Sequence, residues 1–201
     1  MVSSEGTVDR ASIRSAVAER YSAIGIAPSA EKTIPAGRAW AERIGYPPDL
    51  LDTVPAHALA SFTGIDTPCL LAALSPGEWV LDLGCGAGLD SILMARLVAP
   101  QGHVYGVDLA PGMIAAAQTA LEEARVNNVT IAQAAAEDLP LQSGSIDVAV
   151  VNGLFNLVPE KAAVARELRR VLRAGGRLVG AEIVITDDRP PGKLDLEDWF
   201  R

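Results

Sequence analysis

Cysteine is scarce in this chain. Its 201 residues include two, Cys69 and Cys85, too few for a disulfide framework, which points to a reducing compartment. Histidine is as scarce. His57 and His103 are the only imidazoles, so a general base titrating near neutrality has few places to come from. Positive charge is also short, since 17 Lys and Arg against 25 Asp and Glu leave a net charge of −8. A nucleic-acid backbone needs a basic face, so this balance argues against such a partner. The start, "MVSSEGTVDR", has no basic region followed by an apolar core, and no apolar run reaches the length of a membrane span. A cytoplasmic protein with no membrane partner is the expectation. The rest of the composition, 49% hydrophobic and 21% charged, is that of an ordinary globular domain with room for one real core and an added segment.

The chain changes character near Ser75. Before it the pattern is helical and broken by prolines. In "TVDRASIRSAVAERYSAIG" Thr7 is a possible cap, Ile13, Val17 and Tyr21 recur at helical spacing, and Gly25 and Pro28 are expected to end the helix. Ala36 to Ile44 reads as a second short helix, and Pro47, Pro48 and Pro55 chop the next stretch into pieces of one or two turns. Residues 1–74 are therefore expected to form a helical cap or lid over a core spanning 75–201. In that core, strands are expected at "EWVLDL", "GHVYGVD", "NVTIAQA", "SIDVAVV" and from Arg177 to Thr186. Helices are expected at Leu89–Val98, from Pro111 and at Pro159–Leu172, the last stopped by Gly175-Gly176. Alternating helices and near-continuous apolar strands predict an α/β fold, a doubly wound, Rossmann-like parallel sheet covered on both faces. The pattern leaves the strand order open.

The stretch "VLDLGCGAGLD" places Gly84, Gly86 and Gly88 between the first strand and its helix. A tight turn without a ligand is one reading. A nucleotide-like ligand, approached closely by the backbone, is the other. Dinucleotide folds space these glycines G-x-G-x-x-G, whereas here Leu89 stands at the last position. The second strand ends in Asp108, where a carboxylate can accept two hydrogen bonds from a ribose diol. A helix-terminal charge near Pro111 is the plainer role for it.

With those residues in view, "VLDLGCGAG", "VYGVDLAPGMI", "AEDLPLQSGSIDVAVVNG" and "ELRRVLRAGGRLV" resemble, in order, the motifs of the class I S-adenosylmethionine-dependent methyltransferases. The resemblance implies S-adenosylmethionine as cofactor and no metal. It implies that Asp82 helps hold the methionine amino group, and that Gly84, Cys85, Gly86 and Gly88 approach the methionine and ribose. Asp108 would hold the ribose, Leu109 and Met113 would pack on the ligand, and Ala136 and Glu137 would cap the adenine edge. Asn152, at the end of the fourth strand, would face the transferable methyl and is, with Tyr21, a candidate catalytic residue.

Within that family the chain resembles the arsenite methyltransferases, through "IRSAVAERYSAI", "IGYPPDLLDTVPAHALASFTGIDTP" and "NGLFNLVPEKAAVARELRRVLRAGGRL". Those enzymes hold trivalent arsenic with cysteine thiolates, a soft-ligand logic. Here Gly153 stands in "NGLFNL" where a cysteine is usual, and "SFTGID" and "IPAGRAWAERIG" carry none. The expectation is a small-molecule methyl acceptor other than arsenite, a soft or self-activated nucleophile, because neither histidine is well placed as a base. Tyr21, Phe62, Gly153, Phe155 and Asn156 are the expected pocket residues. Ordinary core packing is the competing role for each aromatic.

Two rival functions come from other classes. A nicotinamide-dependent oxidoreductase is disfavoured by the glycine spacing and by the lack of a Tyr-x-x-x-Lys motif. A cofactor-binding subunit or pseudoenzyme stays open. The class I resemblance implies two further strands after the fifth, and only sixteen residues follow Ile185, with Pro190 and Pro191 among them. The fifth strand is therefore expected to be an edge, with a homodimer or a partner subunit covering it, unless the chain is a fragment.

Overall fold

The structure, a computed structural model, describes residues 9–28 and 33–184. Five strands form one sheet: β1 (Trp79–Leu83), β2 (His103–Asp108), β3 (Val129–Gln133), β4 (Ile146–Asn152) and β5 (Leu172–Ala181). Every pairing is parallel, and the order is β3-β2-β1-β4-β5. The expected doubly wound sheet is present. Its order reverses between β1 and β4, and ligands of such sheets lie at the carboxyl ends of the strands beside that reversal.

Period-two alternation assigns the two faces. Val80, Val104, Val148 and Val150 belong to one apolar cluster, and Leu81, Leu83, Val107, Ala149 and Val151 to the other. The second face is covered by α8 (Lys161–Val171), whose Val164, Leu168 and Val171 form one buried stripe. The first face is covered by α6 (Leu89–Val98) and α7 (Pro111–Glu123).

Five helices precede the sheet: α1 (Arg10–Ile26), α2 (Arg38–Arg43), α3 (Pro48–Leu51), α4 (Ala56–Ala60) and α5 (Pro68–Leu71). Their buried residues, among them Ile24, Tyr46, Leu51, Leu59 and Phe62, share a cluster with Ile92, Met94 and Met113 of α6 and α7. Each such side chain contributes about 1.5–3 kcal/mol when fully buried. With the sheet below and the cap above, α6 is buried almost all round, including Asp90 and Ser91.

Several boundaries differ from the sequence reading. Gly25 does not end α1 but lies inside it. A Cβ there would sit 2.5 Å from the Gly112 carbonyl oxygen, so this glycine allows α1 to touch the start of α7. The helix before β5 stops at Val171, ahead of Gly175-Gly176. Leu172 pairs with Ile146, the two glycines fall in an irregular stretch, and regular pairing resumes at Arg177↔Val148. β5 ends at Ala181, opposite the last residue of β4, and Glu182 leaves the ladder to bond the backbone of Leu154 and Phe155. The expected strand residues Ile185 and Thr186, the tail after them and the Thr7 cap lie outside the described residues.

Candidate functional site

The site starts from the turn after β1. Gly84 and Gly86 have φ of +81° and +52°, a region that side-chain-bearing residues rarely adopt. The N–H groups of Gly84 and Cys85 donate to the Val107 carbonyl at 2.8 and 3.1 Å, tying the turn to β2. The Gly86 N–H donates to Asp108 Oδ2 at 2.9 Å, and the Ala110 N–H to Asp108 Oδ1 at 2.8 Å. Both carboxylate oxygens are thereby aimed, and each keeps a lone pair for a further donor. A Cβ on Gly86 would come within 4 Å only of Met113 Sδ, at 3.9 Å, so the backbone itself forms this wall.

A cavity of about 810 Å³ lies over the turn. Leu83, Gly84, Gly86 and Asp108 form its floor, with Leu109 and Met113 beside them. Ala134, Ala136 and Glu137 make an apolar slot with a polar end, and Asn152, Gly153 and Leu154 make the opposite wall. Arg14, Val17 and Tyr21 of α1 form the roof. A second cavity of about 360 Å³ shares Thr63, Gly84, Gly86 and Asn152 with the first, and Ser61, Phe62, Leu89 and Asp90 extend it under the cap.

The electrostatics are one-signed. Burial, then repulsion from Asp90 and Asp108, pushes the Asp82 carboxyl up to about 8, against the Ser91 hydroxyl, which donates to Asp82 Oδ2 at 2.5 Å. Burial also raises Asp90 and Asp108. Neither lysine nor arginine pairs with these three carboxylates among the described residues. The one cation at the cavity wall, Arg14, is spent on Glu137, with Nη2 2.8 Å from Oε1. A ligand carrying positive charge fits this field. Among the described residues no group of three or more His, Cys, Asp or Glu side chains is placed to hold a metal ion.

Most residues expected at the site line one of the two cavities. Tyr21, Gly84, Gly86, Asp108, Leu109, Met113, Ala136, Glu137, Asn152 and Gly153 line the first, and Phe62 lines the second. Others do not. Asp82 is 3% exposed and covered by Ser91 beneath the turn. Cys85 faces β2, where a Cβ on Gly106 would meet its Sγ at 3.1 Å. Gly88 caps α6 and packs on Ala117. Phe155 and Asn156 lie away from both cavities in a 3-10 turn. There Glu182 takes the Phe155 N–H, and Asn156 Nδ2 donates to the Ile183 carbonyl. Asn152 lines both cavities with its polar atoms already engaged. Its Oδ1 accepts from Ile65 N and Asp66 N, and its Nδ2 donates to the Asp66 carbonyl and to Asp90 Oδ2.

Arg14, Thr63 and Asp90 line the cavities without having been singled out from the sequence. For Arg14 a signal existed. Arg14, Val17 and Tyr21 stand at i, i+3 and i+7, one stripe of α1.

Compared with known proteins, residues 74–200 match the model of a methyltransferase domain. The chain belongs to the methyltransferase-domain family. It is similar to an arsenite methyltransferase of Halobacterium salinarum, 40% identical over 149 residues, covering 74% of this chain and 38% of the relative. A demethylmenaquinone methyltransferase of Listeria welshimeri is 35% identical over 108 residues, covering 54% of this chain and 46% of that protein. Among solved structures, an arsenic(III) S-adenosylmethionine methyltransferase from Chlamydomonas reinhardtii superposes with a TM-score of 0.54 at 29% identity, covering 73% of this chain and 48% of that one. The methyltransferase domain thus spans less than half the length of these relatives. No helix among its described residues is long and apolar enough to cross a membrane.

Proposed function

We propose that the chain binds S-adenosylmethionine in the large cavity and transfers its methyl group to a small-molecule acceptor. The observation that carries this reading is the pairing of the Gly84–Gly86 backbone with an aimed Asp108 at the sheet's reversal point. The residues present fit the cofactor. Asp108 offers a free lone pair on each oxygen to a ribose diol. Leu109, Ala134 and Ala136 flank a slot suited to a flat base, and the carboxylates match a cationic ligand. S-adenosylmethionine, when bound, supplies a methyl on a positively charged sulfur, and its departure as a neutral thioether needs no acid. The chain's own part is to align the acceptor with that methyl and to keep water out, a contribution of roughly 7–11 kcal/mol where alignment is good. Tyr21 from α1 and the wall from Gly153 to Pro159 enclose the space for the acceptor.

The acceptor class we favour is a soft or self-activated nucleophile. Neither imidazole lines a cavity. His57 Nε2 is 3.2 Å from the Ala116 carbonyl, beside α7, and His103 sits at the far end of β2 against Thr130. A second reading, arsenite as acceptor, is favoured by the names of the relatives. Against it, both thiols are buried, and burial pushes each well above the ordinary thiol range, away from the thiolate that arsenic needs. Calorimetric titration with S-adenosylhomocysteine tests the cofactor. Incubation with labelled S-adenosylmethionine and pooled metabolites, or with arsenite and glutathione, tests the acceptor. Methylated arsenicals would reverse our preference. Binding without any transfer would leave a cofactor-binding subunit.

A further inference from the structure

Asp90 has no part in the function just proposed, yet it is among the most deliberately held side chains in the molecule. It stands in the first turn of α6, where unpaired N–H groups favour negative charge. Its Oδ1 accepts the Tyr46 hydroxyl at 2.5 Å, and its Oδ2 accepts Asn152 Nδ2 at 3.2 Å. Those partners come from the cap and from the end of β4. They take two of its roughly four acceptor positions, and the second cavity opens beside it. Asp82, the carboxylate that the family resemblance assigned to the methionine amino group, lines neither cavity and is covered by Ser91. Of the two acids nearest the amino-acid end of the cleft, only Asp90 is reachable.

We propose that the second cavity takes the amino-acid end of the cofactor and that Asp90 receives its ammonium group, with Tyr46 and Asn152 as positioning residues that aim the carboxylate. The inference rests on the large cavity being the S-adenosylmethionine site. It also accounts for Asn152. With every polar atom engaged, this amide ties loop residues Ile65 and Asp66 to Asp90 and so fixes the roof over the ammonium, in place of touching the methyl.

Two probes separate the claim from a structural role. S-adenosylhomocysteine carries the ammonium, whereas 5′-deoxy-5′-methylthioadenosine shares its nucleoside thioether and lacks the amino-acid end. Calorimetric titration of the intact chain should show Asp90→Asn weakening S-adenosylhomocysteine by about 10- to 100-fold, the value of one charge-assisted bond. Methylthioadenosine should change by no more than about twofold. Tyr46→Phe, which keeps the ring and its packing, should weaken the first probe a few-fold and spare the second. Asp82→Asn should leave the ratio of the two affinities at the wild-type value. An equal loss for both probes in Asp90→Asn or Tyr46→Phe, or no loss for either, overturns the assignment. Failure of the wild type to bind either probe overturns the cofactor reading itself, and this inference with it.

Discussion

Asp82 makes the acidity of the cleft measurable without any ligand. Its carboxyl is pushed up to about 8, first by burial and then by Asp90 and Asp108, whereas in the unfolded chain it titrates near an ordinary value of about 3.9. Between those limits the folded protein holds a proton that the unfolded chain has released. Stability therefore falls as pH rises from about 4 to about 8, with a limiting slope of about 1.4 kcal/mol per pH unit. At 3% exposure the group is little screened by solvent. We predict that Asp82→Asn, which keeps the shape and removes the titration, gains stability over the wild type as pH rises. From pH 5 to pH 7 the difference should grow by up to about 3 kcal/mol, or about 6–12 °C in Tm for a domain of this size. Asp90 and Asp108 leave the variant a gentler slope of its own, so the quantity to read is variant minus wild type. Thermal unfolding by circular dichroism in matched buffers supplies it. Parallel curves across this window would mean that Asp82 is ionised in the fold, and the account of the cleft as under-compensated for negative charge would be wrong.

Three further predictions test other links. Asp108→Ala should weaken S-adenosylmethionine and S-adenosylhomocysteine alike by at least about 100-fold in calorimetry, since two charge-assisted bonds are worth about 1.5–3 kcal/mol each and the Gly86 and Ala110 N–H groups lose their acceptor; unchanged affinities would remove Asp108 from the site. Gly25→Ala should lower the unfolding free energy by about 1–3 kcal/mol through overpacking, because its Cβ meets the Gly112 backbone at 2.5 Å, and a denaturant midpoint equal to wild type would show that α1 can move off α7 freely. Among the described residues β5 has a strand on one side only and carries the exposed Leu178, so we expect this chain to self-associate, with a homodimer the simplest closed form; a monomer across a wide concentration range in light scattering would refute it.

The sheet was legible because its signals are local. Near-continuous apolar strands alternate with helices, and Leu89–Val98 emerges with the bounds read from sequence. Strand order was not legible, because pairing joins segments far apart in the chain. The same distinction runs through the site. The glycine turn and Asp108 lie within one β-α-β unit, and both were readable. Asp90 stands in the very stretch that drew attention to the turn, but its meaning comes from Tyr46 and Asn152, 44 and 62 residues away. Phe155 and Asn156 misled through adjacency. Directly after Gly153 the chain enters a 3-10 turn that Glu182 holds from β5, and that turn carries both side chains away from the cavity. Gly25 misled in another way, since a glycine needed for helix contact looks in sequence like one that ends a helix.

The arrangement of acids has a reason in the topology. Where the sheet reverses, the ends of β1, β2 and β4 and the start of α6 converge on one crevice. β1 brings Asp82, β2 brings Asp108 and α6 brings Asp90, and parallel strands give no room for a basic side chain between them. Burying a carboxylate without a partner is costly, so the empty cleft lowers the stability of the fold. A cationic ligand relieves that cost, and its binding free energy then includes the relief. The same field distinguishes the two forms of the proposed cofactor. Loss of the methyl takes away the positive charge on sulfur, and with it part of the attraction to the cleft. On this reasoning the acidity that destabilises the empty protein also favours exchange of spent cofactor for fresh, which explains why a fold would keep three acids where an apolar floor would be more stable.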